Sequence, residues 1–348
     1  MTSTHGTVGG GSSITVTGDY ATVGGGRSIT VTGEYATVGG GGFNTASGIG
    51  AVIAGGGGED PIQVRTLPNT ASGFLSAIGG GGLNTTSEGY ATVSGGLENN
   101  ARGWAVTIGG GQEITATGSW ATAAGGREIN ADGDYAAIGG GYLNTVDGDN
   151  STVCGGWANM AEGDQAAVCG GYDNEASGDH SAVGGGYNNE ASADFSTVVG
   201  GHSAEASHFG EVAYASGSFS EAGDAQGSFY VLRGTTYNST PTELFLDGGA
   251  QRLTLGHRTM TFDILVAART VAAIPYSAGW TAQGVIEGWG AGAVAFVGAP
   301  IITPLGDGIG GLTFNVVAEN SALVLKVTGP SDRTVRWVAT VRTSEIGS

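Results

Sequence analysis

A motif of about 15 residues, close to G-D-Y-A-T-V-G-G-G-x-x-N-T-A-S, recurs along the first two thirds of the chain. Its opening position falls at Gly18, Gly33 and Gly48 and, after an insertion of ten residues, at Gly73. The spacing of 15 residues then holds as far as Gly223, which makes about fourteen units. A unit this short cannot bury a core by itself, so its inner side chains must be covered by the units before and after it. The repeat therefore predicts a β-solenoid.

Two positions of each unit are apolar or small. The fifth residue after the opener is mostly Val or Ile, as in Val23 and Ile108, and the second residue before the next opener is Val or Ala, as in Val31 and Ala116. Glycine supplies 70 of the 348 residues, and no Gly-X-Y period is present, which excludes collagen. We expect two short strands per unit, joined by glycine turns, with both rows facing inward.

Units such as GDYATVGGGRSITVTGEYATVGGG resemble the head repeats of trimeric autotransporter adhesins, over residues 5–222. The same repeat occurs in phage tail fibres. The resemblance implies parallel β-rolls that pack as a homotrimer. The period here is 15 residues where the adhesins usually have 14, and we see no signal peptide, coiled-coil stalk or membrane anchor. These differences favour the phage fibre over a self-exporting adhesin.

The last third of the chain has a different pattern. Residues 223–228 form a predicted linker, and residues 229–348 alternate apolar and polar side chains, most clearly in residues 336–342. Nine candidate strands without helical periodicity predict an antiparallel β-sandwich, jelly-roll-like, as a head or trimerisation domain. The segments PTELFLDGG and TVRWVATVRTSE resemble a C-terminal domain of phage tail-fibre proteins. The sequence thus predicts an all-β chain with a stalk at residues 1–222, interrupted by an insertion at residues 55–69.

Charge limits the possible partners. The net charge is −19, with only 12 Lys and Arg residues, so a phosphate-binding groove for nucleic acid is excluded. No run of about 18 apolar residues is present, so we expect no membrane insertion. We expect the chain to be assembled in the host cytoplasm and to reside in the virion, attached to other tail or baseplate proteins through its N-terminal coils.

Aromatic residues recur in one phase of successive units and are the first candidates for a binding site. In a stacked solenoid they form a row with one ring about every 4.8 Å. Such a row either binds the sugar rings of a host-surface glycan or packs on itself and on a neighbouring subunit. The residues are Tyr142, Trp157, Tyr172 and Tyr187.

Further candidates lie outside that row. Three aromatic residues in the C-terminal third either contact a receptor or belong to the core: Tyr276, Trp280 and Trp289. The insertion carries three charged residues that either bind a ligand or contact another virion protein: Glu59, Asp60 and Arg65. A row of Asn residues, from Asn44 to Asn189, is expected to bond successive coils. An acidic row after many openers, from Asp19 to Asp194, either holds cations or forms a solvated face.

The sequence contains no pattern typical of a catalytic, metal or cofactor site. We therefore expect no enzyme and no cofactor, but a structural and adhesive fibre subunit that recognises a glycan or protein of the host cell surface. The first alternative is a tailspike enzyme that depolymerises surface polysaccharide, which requires a carboxylate pair in a groove. The second alternative is a bacterial surface adhesin.

Overall fold

The computed structural model describes residues 3–60, 62, 65–272, 276–289, 292–308 and 310–347. The chain is all-β across these residues, and its repeats form a β-solenoid of about fourteen turns, which confirms that part of the fold prediction. None of the described segments is a helix of the length and apolarity that a membrane crossing requires. The chain packs as two compact units, Met1–Asn174 and Glu175–Ser348. The predicted domain limits at residues 222–229 stay a prediction.

In the first unit, each coil contributes one two-residue strand to each of two parallel sheets. Paired residues stand 15 positions apart, as Thr22 with Thr37, and 25 apart across the insertion, as Val52 with Ala77. The insertion itself forms a small antiparallel hairpin from β8 and β9. The strands are β1 Thr7–Val8, β2 Thr15–Val16, β3 Thr22–Val23, β4 Thr30–Val31, β5 Thr37–Val38, β6 Thr45–Ala46, β7 Val52–Ile53, β8 Glu59–Asp60, β9 Arg65–Thr66, β10 Thr70–Ala71, β11 Ala77–Ile78, β12 Thr85–Thr86, β13 Thr92–Val93, β14 Asn100–Ala101, β15 Thr107–Ile108, β16 Thr115–Ala116, β17 Thr122–Ala123, β18 Asn130–Ala131, β19 Ala137–Ile138, β20 Thr145–Val146, β21 Thr152–Val153, β22 Met160–Ala161 and β23 Ala167–Val168.

Four side chains of each coil are buried, two more than the two rows predicted from the sequence. In the coil that opens at Gly18 they are Ala21, Val23, Ile29 and Val31, all without exposed surface. The predicted rows are the second and fourth of these columns. The first column is Ala, Ser or Val in the first unit, so small side chains fill this buried position.

One glycine of each coil is required by the backbone. At Gly126 the φ angle is +108°, outside the range that side chains tolerate, and a Cβ atom would lie 2.5 Å from the carbonyl oxygen of Gly141 in the next coil. The preceding Gly125 has no such constraint, because the nearest atom to a Cβ there is the oxygen of Gly110 at 4.0 Å. The glycine-rich turn therefore contains both an essential and a replaceable position.

The predicted Asn row lies inside the coils, in the third buried column. The Nδ2 of Asn159 donates to the carbonyl oxygens of Gly155 and Gly171 at 2.9 and 3.0 Å, and its Oδ1 accepts from the backbone nitrogen of Asn174 at 3.1 Å. The amide thus bonds its own turn and the next coil, which confirms the expected role. Where Ile29, Ile114 or Ile129 takes the position, packing replaces these hydrogen bonds.

The second unit begins with further coils of the same kind. Their strands are β24 Glu175–Ala176, β25 Ala182–Val183, β26 Glu190–Ala191, β27 Thr197–His202, β28 Glu205–Ala206 and β29 Val212–Ser216. The last of these, β29, is longer than a normal coil strand. It pairs in parallel with β27 on one side.

Antiparallel strands follow the coils. They are β30 Ala225–Thr236, β31 Thr242–Leu244, β32 Leu253–Thr254, β33 Arg258–Thr270, β34 Ser277–Trp289, β35 Ala293–Phe296, β36 Ile301–Asp307, β37 Thr313–Glu319, β38 Ala322–Thr328 and β39 Val335–Gly347. In one sheet the strands lie in the order β29, β30, β39, β33 and β34. Strand β34 also pairs with β35 and β36. In the other sheet β31, β32 and β37 all pair with β38.

Side chains of both antiparallel sheets share one hydrophobic core. Tyr230, Ile264 and Trp337 come from the larger sheet and Leu323 and Leu325 from the smaller one. The antiparallel arrangement follows from the alternating sequence pattern, whereas the predicted jelly-roll connectivity is not confirmed.

Candidate functional site

The predicted aromatic row lies on the outside of the first unit, at parallel bridges between coils. The ring centroids of Tyr142 and Trp157 are 5.7 Å apart and those of Trp157 and Tyr172 are 5.0 Å apart. Trp157 is 48% exposed and Tyr172 is 37% exposed. In the second unit Tyr187, 49% exposed, meets His202 at 4.8 Å. Within each unit the structure therefore brings neighbouring rings of the row into contact, at 4.8–5.7 Å, and leaves them partly open to solvent.

A second aromatic row was missed from the sequence. It occupies the turn two residues after each opener, where the backbone is left-handed, with φ near +58° at Trp120 and +59° at Tyr135. The repeated Tyr of the motif itself was the available signal, because residues of equal phase must stack in a solenoid. The half-exposed members are Tyr20, Tyr35, Tyr90, Trp120, Tyr135 and Phe195.

Ring orientation separates the stacked pairs of the turn row from the predicted row, although Tyr90 of the turn row meets Phe74 and Trp104 at 85° and 72°. In the turn row Trp120 and Tyr135 lie 7° from parallel at 5.0 Å, so each ring covers the face of the next. In the predicted row the planes of Trp157 and Tyr172 meet at 72°, and those of Tyr142 and Trp157 at 56°. Tilted rings leave part of an aromatic face uncovered, and a sugar ring packs against a face rather than an edge. The predicted row is therefore the better candidate for binding a glycan.

The charged residues of the insertion are tied to neighbouring coils. Glu59 pairs with Arg27 at 3.1 Å and Arg65 with Glu98 at 2.8 Å. Asp60 accepts a hydrogen bond from the backbone nitrogen of Ile62 at 2.8 Å. These contacts stabilise the hairpin against the coils.

The acidic row has a structural use in the coils. The carboxylate of Asp134 accepts a hydrogen bond from the backbone nitrogen of Ser119 at 2.7 Å. The carboxylate of Asp149 accepts one from the backbone nitrogen of Asp134 at 2.8 Å. Each carboxylate thus caps a turn of the preceding coil. Within the described ranges, no three His, Cys, Asp or Glu side chains come together as ligands for a metal ion.

The three aromatic candidates of the C-terminal third do not come together. Trp280 is 6% exposed and packs on Trp337 in the core, with centroids 5.7 Å apart, so it offers no surface to a receptor. Tyr276 is exposed and lies under the guanidinium of Arg333 at 5.6 Å. Trp289 is also exposed, at the end of β34.

A buried charged cluster that was not predicted from the sequence lies in the second unit. Glu211 occupies the first buried column, where earlier coils carry Ala, Ser or Val, and it has no exposed surface. Its Oε2 accepts from the backbone nitrogens of Ser207 and His208, both at 3.1 Å, and lies 3.0 Å from the His208 Nδ1. A carboxylate in a column of small apolar residues was the signal in the repeat that marked this position.

The cluster continues into the antiparallel sheet. The Tyr230 hydroxyl is 3.0 Å from the Oε1 atoms of both Glu211 and Glu345. Glu345 is also fully buried and accepts from Thr343 at 2.6 Å and from the guanidinium of Arg258 at 2.8 Å. A hydroxyl donates one proton, so Tyr230 bonds one carboxylate at a time as donor. Arg258 and His208 supply the positive charge that two buried carboxylates require.

Both ring nitrogens of His208 face acceptors. Nδ1 faces the Glu211 carboxylate, and Nε2 lies 3.0 Å from the Thr254 carbonyl oxygen and 3.1 Å from the Thr254 hydroxyl oxygen. Only the imidazolium donates to both. Burial alone lowers the pKa of His208, but the hydrogen bond and charge of Glu211 outweigh burial and raise the pKa above its ordinary 6.5. Burial likewise raises the pKa of Glu211, and the His208 contact outweighs it, so that the pKa lies below its ordinary 4.5.

These opposite shifts predict a stability maximum in mildly acidic solution. The contribution of His208 is complete below pH 6.5 and is lost as the pH rises through its raised pKa, while that of Glu211 is complete above pH 4.5 and is lost on further acidification. We expect the urea concentration at which half of the chain is unfolded to decrease as the pH is raised from 6 to 8.5. A His208→Gln variant should show a flatter profile over that interval. An unchanged slope in the variant would contradict the assignment of the alkaline limb to His208.

An open polar pocket of about 460 Å³ lies beside the cluster, within the second unit. Its lining includes the carboxylate of Asp194, the imidazole of His208 and the guanidinium of Arg252. The Asp194 side chain is exposed. The pocket therefore places an exposed carboxylate beside an imidazole whose two ring nitrogens are already bonded, so Asp194 is the group there that is open to a ligand.

No protein-family model matches this chain. No curated protein matches it either. Among solved structures, the chain is similar to the tailspike protein gp49 of Acinetobacter baumannii bacteriophage Fri1, a capsular polysaccharide depolymerase, with 7% identity and a TM-score of 0.22 over 95% of this chain and 70% of that one. It is also similar to the tailspike protein of Acinetobacter baumannii phage AM24, with 11% identity, a TM-score of 0.22 and coverage of 98% and 78%. The tailspike protein of Acinetobacter phage vB_ApiP_P1 matches with 10% identity, a TM-score of 0.19 and coverage of 94% and 82%.

The prediction that the chain is not an enzyme is contradicted by the first of these comparisons, since the Fri1 protein is a depolymerase, and we withdraw it. At TM-scores near 0.2 the likeness assigns no activity to this chain by itself. The resemblance to autotransporter head repeats stays a prediction.

Proposed function

We propose that the chain is a subunit of a phage tailspike that binds a polysaccharide of the bacterial surface and depolymerises it. The observation that carries the proposal is the row of Tyr142, Trp157 and Tyr172, whose rings are tilted, in contact and partly exposed. Their spacing of 5.0–5.7 Å is close to the length of one sugar unit, so a glycan chain running along the coils contacts successive rings.

Binding is tested with single substitutions in the row. We expect Trp157→Ala to weaken binding of the host polysaccharide roughly 10- to 100-fold, because an aromatic anchor at the centre of a binding surface typically contributes a few kcal/mol. Surface plasmon resonance on immobilised polysaccharide measures the effect. Trp120→Ala is the matched control, since that half-exposed ring belongs to the stacked turn row. Equal losses in both variants, or none in either, would count against a site at Trp157.

Depolymerisation is supported by the pocket beside His208. Asp194 is its exposed carboxylate and also accepts a hydrogen bond from the backbone nitrogen of Asp179 at 3.2 Å, and we assign to it one half of the carboxylate pair that glycosidic bond cleavage uses. Release of reducing ends from purified surface polysaccharide tests the activity. Asp194→Asn should abolish the release and leave binding at the aromatic row unchanged. Polysaccharide that is bound but never cut by the wild-type chain would leave an adhesive tailspike and remove the enzymatic part of the proposal.

Assembly belongs to the same proposal and rests on the sequence resemblance. We infer a homotrimer, attached to other tail or baseplate proteins through its N-terminal coils, assembled in the host cytoplasm and carried by the virion. Light scattering on the purified chain tests the trimer, for which the expected mass is three times 34.3 kDa.

A further inference from the structure

The outer face of the larger antiparallel sheet carries ordered rows of exposed side chains. Strands β33 and β39 pair along 13 residues, from Arg258 with Gly347 to Thr270 with Val335. The side chains that alternate with the buried ones on these strands face away from the core. Each exposed residue of β33 therefore has a direct neighbour on β39.

At one end of this face two arginines stand directly opposite each other. Arg269 of β33 pairs with Arg336 of β39, and both side chains are exposed. Side chains opposite each other on antiparallel strands have Cβ atoms about 5 Å apart, and like charges at that distance destabilise the sheet. Neither guanidinium makes an ion pair with any of the described carboxylates. In a chain of net charge −19, a pair of adjacent and uncompensated cations is unexpected.

The same two strands show the opposite arrangement three rows away. There Arg342 of β39 stands opposite Asp263 of β33, so a positive side chain faces a negative one. The sheet therefore accommodates arginine beside a carboxylate at one row and arginine beside arginine at another. The Arg269–Arg336 pair thus presents two positive charges to solvent with no carboxylate paired to either among the described residues.

Hydroxyl groups and a cavity complete the surroundings of the pair. Thr235 is the next residue across from Arg336, and Ser277 is the next across from Arg269, so one row reads Thr, Arg, Arg, Ser. An open cavity of about 520 Å³ is lined by both arginines together with Ser277, Val271 and Val338. That volume lies within the range of roughly 300–1,000 Å³ usual for small-molecule sites. The cavity thus offers two guanidinium groups, a hydroxyl and an apolar wall.

We propose that Arg269 and Arg336 form a binding site for the carboxylate of an acidic sugar, so that the polysaccharide is one that contains uronic-acid-type residues. Planar guanidinium groups bind carboxylates through paired hydrogen bonds, and an anion lying between the two groups offsets their mutual repulsion. The apolar wall packs against the sugar ring while the hydroxyls bond its substituents. This substrate class rests on the proposed function, whereas the anion site itself does not depend on the aromatic row.

The test is isothermal titration of the full chain at low ionic strength with three probes. They are an oligomer of glucuronic acid, the same oligomer with its carboxyl groups reduced to alcohols, and inorganic phosphate. We expect the acidic oligomer to bind roughly 10- to 100-fold more tightly than the reduced one, which corresponds to the loss of charge-assisted hydrogen bonds. The double variant Arg269→Gln, Arg336→Gln should lose that preference. Phosphate that binds the pair as tightly as the acidic oligomer would overturn the assignment to a sugar.

Arg342→Gln is the matched control, because it removes an exposed arginine of the same face that already faces Asp263. It should leave the preference for the acidic oligomer intact. The double variant should fold with an unchanged or higher urea midpoint, since it removes a repulsive pair. A change in the native mass of the double variant would show that the pair contacts a second copy of the chain and would overturn the inference.

The two proposals fail separately. Loss of polysaccharide binding in Trp157→Ala together with an unaltered double variant leaves the tailspike function standing and overturns the acidic-sugar site. Selective binding of the acidic oligomer by a chain that neither binds nor cuts bacterial polysaccharide supports the site and removes the proposed function.

Discussion

Arg258→Met is expected to lower the free energy of unfolding by roughly 3–5 kcal/mol, because it leaves the Glu345 carboxylate buried without its ion-pair partner. The Arg258 guanidinium lies 2.8 Å from Glu345, whose side chain has no exposed surface, while that of Arg258 is 19% exposed. Methionine retains most of the apolar volume of the arginine stem, so the loss reports on charge rather than on a cavity. Urea unfolding at pH 7, followed by tryptophan fluorescence, measures it.

Two further variants identify the cause. Arg252→Gln breaks an ion pair with Glu243 in which the arginine is 37% exposed, and it should cost no more than about 1 kcal/mol. The double variant Arg258→Met, Glu345→Gln should recover much of the loss, because the uncompensated charge is then removed. A cost for Arg258→Met as small as that for Arg252→Gln would show that water reaches Glu345.

Gly126→Ala is expected to destabilise the coils by roughly 2–5 kcal/mol, through backbone strain of about 1–3 kcal/mol and steric overlap of similar size. The φ angle of +108° is strained for alanine, and its Cβ would lie 2.5 Å from the Gly141 oxygen, which is fixed by the backbone of the next coil. Gly125→Ala, one residue away, meets no atom closer than 4.0 Å and should change stability by less than about 0.5 kcal/mol. Thermal unfolding of the two variants gives the comparison, and similar losses in both would refute the steric explanation.

The period of the sequence predicted the solenoid, because residues of equal phase must share a column. Val23 and Val31 were assigned inward positions for that reason, and both are fully buried. The same logic also applied to Glu211, an exception within a buried column, and to the turn row of Trp120 and Tyr135, which belongs to the repeated motif itself, but neither was predicted. A charged residue inside a buried column of small residues, such as Glu211, marks a position whose role goes beyond packing.

The antiparallel sheets were less predictable, because strand pairing there depends on contacts between distant residues. Alternation identified β39 as half-buried, but nothing local indicates that β33 and β30 flank it. The Arg269–Arg336 pair arises only from that register. Trp280 and Trp289 lie on the same strand, yet Trp280 is in the core and Trp289 is exposed to solvent. This difference follows from the position and pleat of β34 rather than from local composition.

The pairing of β29 with both a parallel and an antiparallel neighbour has a consequence for solubility. A stack of coils ends in a strand with unpaired backbone groups, which is a template for joining other molecules edge to edge. Here β30 pairs antiparallel with β29 from Val212 to Ala215, so those groups are bonded within the chain. Glu211, buried one residue earlier, ends the apolar column with a carboxylate that bonds the Tyr230 hydroxyl of β30. The antiparallel strands thus cover the last strand edge of one of the two coil sheets.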